Sequence, residues 1–139
     1  MKLQALLAKL AALQQLLALR RTMSLHQECL KLLGTDVTPR DLIPDDVACA
    51  ETVSTIIRRV VPDFPIIPGT YTLWRQLEND SRFRRVTVPM PGTIIISPTG
   101  TAKKLEGTPS NGHTGFFDQG ANIMSNRSRD GKFLVTQLS

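Results

Sequence analysis

Four side chains in this 139-residue sequence offer nucleophilic or acid–base chemistry near neutral pH: Cys29, Cys49, His26 and His113. A thiol attacks only as thiolate. Its pKa falls from about 8.5 to as low as roughly 3.5 at a helix N-terminus or beside an imidazolium. His26 and Cys29 lie three apart in "SLHQECLKLLG", on one helical face. One His and one Cys do not make a metal site, and a helical Cys reads more plainly as a small buried hydrophobe. Cys49 differs, because "DDVACAETVSTIIRRVV" is an apolar-periodic helix in which Asp45 or Asp46 can act as N-cap. That capping puts Cys49 in the first turn. His113 sits in "PSNGHTGFF", at the start of a strand and flanked by Gly112 and Gly115. If the sheet packs on the helix, the imidazole reaches the thiol, and the glycines leave room beside it for a substrate backbone.

A catalytic imidazole needs a polar group to fix its tautomer, and the returning arm of a hairpin is the place to seek one. If Gln119-Gly120 forms a two-residue turn, His113 faces Asn126. If Asp118-Gln119-Gly120 forms a three-residue turn with Gly120 left-handed, the register slips by one and His113 faces Ser125. Asn126 is the better acceptor and is the candidate, with Ser125 as the alternative. Cys, then His, then a polar orienter is the papain-type order.

The elements that must position these groups are legible from periodicity. "MKLQALLAKLAALQQLLALRR" carries Leu3, Leu6, Leu10, Leu13 and Leu17 at alternating three- and four-residue spacings, widened by Leu7 and Leu16. It predicts a Leu-rich helix over residues 1–22, suited to self-association through 3–17 or to docking. Lys9 and Gln14-Gln15 make it too polar for a membrane span or a signal peptide. Residues 23–139 form the main domain. It opens with a separate short helix capped by Ser24 and ended by Gly34. The turn-rich "TDVTPRDLIPDD" leads into the Cys49 helix, stopped by Pro62. "DFPIIPG" is an extended link, and "TYTLWRQLENDSRF" contains a further helix. The period then changes to two. "RRVTVPM", "GTIIISP", "GHTGFF", "NIMSNRS" and "KFLVTQL" predict five short strands. Helices followed by an antiparallel sheet make an α+β fold.

Composition narrows the function classes. The net charge of +5 and pI near 9.7 suit acidic partners. Aromatics are only 5%, and the basic residues (Arg58-Arg59, Arg82 to Arg85, Lys103-Lys104) are scattered over different elements, so nucleic acid is not expected. Two cysteines make no zinc quartet or disulfide framework, and no CxxC, HExxH, Walker loop or GxGxxG occurs. No metal and no cofactor are expected.

"DVACAETVSTII", "VPMPGTIIIS", "NGHTGFF" and "NIMSNRS" together resemble the NlpC-type and CHAP cell-wall cysteine peptidases, over most of residues 36–139 and in the family's order. The strongest motif is Gly112-His113-Thr114-Gly115, matching Gly-His-x-Gly. Pro91-Gly92-Thr93 stands where the family usually has Pro-Gly-Asp. The resemblance implies a papain-like fold and hydrolysis of an amide bond in the peptidoglycan peptide. It implies Cys49 as nucleophile, His113 as general base and Asn126 as orienter. It also implies action at the cell wall, reached by phage delivery or through a membrane lesion, since no classical signal peptide is read. The calcium-loop pattern of some CHAP members is absent. The rival expectation is a non-catalytic papain-like module of a phage particle or wall-associated assembly.

Overall fold

A computed structural model describes residues 2–38, 48–99, 111–127 and 130–137. Asp45, Asp46, Lys103 and Lys104, and the "PS" of "PSNGHTGFF", lie outside the described residues. Helix α1 spans Lys2–Leu32, α2 Cys49–Val60 and α3 Thr70–Asn79. Among the described residues four strands follow: β1 Ile94–Thr99, β2 Asn111–Phe117, β3 Asn122–Asn126 and β4 Phe133–Gln137. They form one antiparallel sheet in sequential order. The class is α+β.

Three expectations about these elements are corrected. The Leu-rich helix and the short helix after it are one, so the 22/23 boundary falls inside α1. Ala, Leu, Gln, Lys and Arg all favour helix, and a single Ser24 cannot interrupt such a run without a Gly or Pro beside it. Gly34, left-handed at φ 83°, does end it. The cap of α2 is Ala48, with no side-chain hydrogen bond, rather than an aspartate. "RRVTVPM" is no strand, which leaves four rather than five. Val86 and Val88 alternate but stay exposed, and Pro89 and Pro91 lack the donors a ladder needs.

The core lies where α2 is enclosed. Ala50, Val53, Ile56 and Ile57 pack with Leu25 and Cys29 of α1, Leu73 of α3, and Phe116, Met124 and Phe133 of the sheet. Phe116 meets Phe133 edge-on, with centroids 6.4 Å apart. The C-terminal half of α1 thus belongs to the domain, whereas Leu3, Leu6, Leu7, Leu10, Leu13, Leu16 and Leu17 near its start remain exposed.

Gly92 lets α1 seat against the sheet. It is buried at φ 96°, and a β-carbon there would sit 2.1 Å from the Thr22 carbonyl oxygen and 3.0 Å from the His26 nitrogen. Its N–H bonds the Phe117 carbonyl at 2.8 Å. His26 Nε2 meets Asp118 Oδ1 at 3.1 Å, joining the same turn of α1 to the β2–β3 hairpin. A side chain at Gly92 therefore has to displace the helix backbone. We expect Gly92→Ala to cost roughly 3 kcal/mol or more in urea denaturation. Gly34→Ala, also left-handed but facing open space, should cost only about 1–2 kcal/mol.

Candidate active site

Cys49 is the first residue of α2 and is half-buried. Its sulfur lies 3.5 Å from Thr70 Oγ1, on the first residue of α3, and 4.0 Å from the Gly112 carbonyl oxygen. His113 and the Thr114 N–H, both on β2, are close enough to act on the ionisation of the same sulfur. His113 itself is exposed. Two helix starts and one strand therefore converge on a single thiol, and the Cys49–His113 pair expected from the sequence is brought together.

The electrostatics follow from this packing. Burial pushes the Cys49 thiol up. The hydrogen bonds from His113 and Thr70, the His113 charge and the Thr114 N–H outweigh it, and the pKa falls below the ordinary thiol value. The interaction with Cys49 raises the His113 pKa, against a partial desolvation of the otherwise exposed residue. The two shifts move toward one another, which favours a thiolate–imidazolium pair. Cys29 is the opposite case. It is fully buried, and burial pushes its thiol far up, helped by the Glu28 and Asp118 charges. Its neighbour His26 is engaged with Asp118. Both cysteines are free. No group of three metal-ligating side chains occurs among the described residues.

The hairpin register differs from both expected forms. Asp118 N–H bonds the Asn122 carbonyl and Asn122 N–H bonds that of Gln119, so the turn is Gln119-Gly120-Ala121 with Gly120 left-handed at φ 59°. The strands pair Phe116 with Met124 and Phe117 with Ile123. Among the described residues these are the β2–β3 pairs, and a β-carbon built on Gly115 would lie against Ser125 Cβ on β3. His113 lies beyond the last of these pairs, so the pairing itself sets neither Asn126 nor Ser125 opposite it. Ser125 Oγ lies 3.3 Å from Thr136 Oγ1 on β4, and Asn126 is buried and paired with Phe133. The direct cross-strand neighbour of His113 is Ser97 on β1.

The two glycines also part company. A β-carbon at Gly115 would lie 2.7 Å from the Met124 carbonyl and 2.9 Å from Ser125 Cβ, so this glycine permits the close approach of β3. The space expected there for substrate is filled by protein. Gly112 remains beside the thiol through its carbonyl. Thr70 and Ser97 escaped the sequence reading. Thr70 belongs to no motif and reaches the sulfur only through tertiary packing. Ser97 needed the β1–β2 register.

No protein-family model, curated protein or solved structure matches this chain. No helix among the described residues is long and apolar enough to cross a membrane.

Thiolate fraction rises as pH climbs through a thiol's pKa, so a lowered pKa is reached sooner. Iodoacetamide should therefore label Cys49 with a midpoint below the ordinary thiol range, while Cys29 stays unlabelled in the folded protein, as peptide mass spectrometry would read. His113→Ala should move the Cys49 midpoint upward, because burial then acts with less opposition.

Proposed function

We propose that this chain is a papain-like cysteine hydrolase of the NlpC/CHAP type that cleaves an amide bond in the peptide of peptidoglycan. The observation that carries the reading is one thiol at a helix start, set against the Gly-His-x-Gly strand at the Gly112 carbonyl, with the neighbouring His113 favouring its thiolate. The basic net charge suits the carboxylates of the wall.

In this mechanism the Cys49 thiolate attacks the amide carbonyl carbon. A C–S bond forms and the carbonyl π pair moves onto oxygen, toward the Cys49 backbone N–H at the start of α2. Collapse breaks the C–N bond, and the His113 imidazolium gives its proton to the leaving amine. Neutral His113 then takes a proton from water as the water oxygen attacks the thioester. The C–S bond breaks, the acid product leaves, and thiolate and imidazolium are restored. Cys49 and His113 carry the proton and bond changes of these steps, with Asn126, or alternatively Ser125, as the proposed orienter of the imidazole.

The exposed leucines of α1 support an assembly role beside catalysis. Seven of them are about half exposed. Pairing two such helices removes on the order of 1,000 Å² from water, near the lower edge of a specific interface. We assign this face to a second copy of the chain, and the site of action to the cell wall.

Cys49→Ala should reduce muropeptide release from purified peptidoglycan to background, and His113→Ala should cost at least about a hundredfold. Mass spectrometry of the digest identifies the bond cleaved, and undiminished release by Cys49→Ala refutes the mechanism. Changing Leu6, Leu10, Leu13 and Leu17 together to Gln, which keeps helix propensity, should convert an oligomer to monomer in sedimentation. An unchanged sedimentation coefficient rejects the pairing.

A further inference from the structure

We propose that Thr70 is a positioning residue for the Cys49 thiolate, holding the sulfur anion through its hydroxyl; this rests on the reading of Cys49 as nucleophile. Thr70 Oγ1 lies 3.5 Å from Cys49 Sγ, and the residue is 8% exposed. A threonine hydroxyl has one proton to give, and a thiolate offers only acceptor capacity, so in the ion-pair state the hydroxyl donates to sulfur. The hydroxyl is not spent on capping α3, whose N-cap is Gly69 with no side-chain bond.

Its position is fixed from behind. Ile67 N–H donates to the buried Ser54 hydroxyl at 2.9 Å, pinning the link three residues before Thr70 to the middle of α2. Ser54 Oγ in turn lies 2.8 Å from the Ala50 carbonyl, one turn from its own position. One helix thus holds both the nucleophile and the strap that delivers its hydroxyl partner. Because Cys49 and Thr70 each begin a helix, the partial positive ends of α2 and α3 both face the sulfur.

The benefit has a definite size. A hydrogen bond to an ionised group that lowers a thiol pKa by about one unit raises the thiolate fraction about tenfold at pH below the pKa. Intrinsic nucleophilicity falls with a Brønsted coefficient of about 0.4–0.5, or roughly threefold per unit. The net gain is about threefold below the midpoint, and above it the hydroxyl slows attack by about the same factor. In the catalytic cycle Thr70 transfers no proton. Its bond weakens as charge leaves sulfur for the carbonyl oxygen, and strengthens again when thiolate departs from the thioester.

The test is the pH profile of Cys49 alkylation by iodoacetamide in the full chain, read at the Cys49 peptide. In Thr70→Val, which keeps the shape, the midpoint should rise by about one pH unit. The rate should fall about threefold at low pH and rise about threefold on the high-pH plateau. Thr70→Ser should restore the wild-type profile. A packing role alone cannot produce opposite changes at the two ends of the profile. Superimposable profiles for Thr70→Val and wild type overturn the proposal, as does a Thr70→Ser shift equal to that of Thr70→Val. An ordinary thiol midpoint in the wild type, unmoved by His113→Ala, would instead bring down the dyad on which the proposal rests.

Discussion

Ala50 through Ser54 leave α2 no exposed position in its first turn and a half, because α1, α3 and the sheet close on it from different sides. From that enclosure the rest of the site geometry follows. A helix packed this way can neither rotate nor slide without opening cavities, so its first residue is held at a fixed point against β2. Cys49 stands at the N-terminal end of α2, half-buried between the buried Ala48 and Ala50. The sulfur inherits the rigidity of the core while remaining half-accessible, a combination no loop position would provide.

The contrast between the two cysteines shows how small a difference in placement decides reactivity. Both are substantially withdrawn from water, and in both burial opposes the thiolate. Around Cys29 the charged neighbours are Glu28 and Asp118, which repel a second anion. Around Cys49 stand a histidine, a hydroxyl and a backbone N–H, all able to donate. Desolvation is a shared cost. Donors around Cys49 offset that cost, whereas around Cys29 the neighbouring carboxylates add to it, so the two thiols shift in opposite directions.

Much of this was readable before any coordinates, and the misses have definite causes. Leucine and alanine spacing, Gly34 and Pro62 marked helices, and alternating apolar runs marked four strands, since each signal is local. The break expected at Ser24 did not occur because a capping preference worth about 1 kcal/mol competes poorly with an uninterrupted run of helix formers. Val86 and Val88 looked like a strand because alternation is a property of the segment, whereas pairing is a property of its neighbour. The hairpin register turned on where a single left-handed glycine sits within the turn, and moving Gly120 to the middle of three residues displaced every cross-strand partner. The Cys49–His113 pair was legible from residue types and order. The partnership of Thr70 with the thiol was not, because the two stand 21 positions apart in the chain and meet only through the Ser54 clamp.

The clamp of His26 on Asp118 and the fit of α1 over Gly92 hold the C-terminal half of that helix to the domain. The preceding residues 2–17 extend it by about 24 Å at 1.5 Å per residue. Such an arm is a rigid spacer: it fixes both the distance and the orientation between whatever grips its tip and the thiol. Two such arms joined at their tips would hold two thiols at a set separation, so a ligand with repeated sites would be retained by effective concentration rather than by any stronger contact at either site.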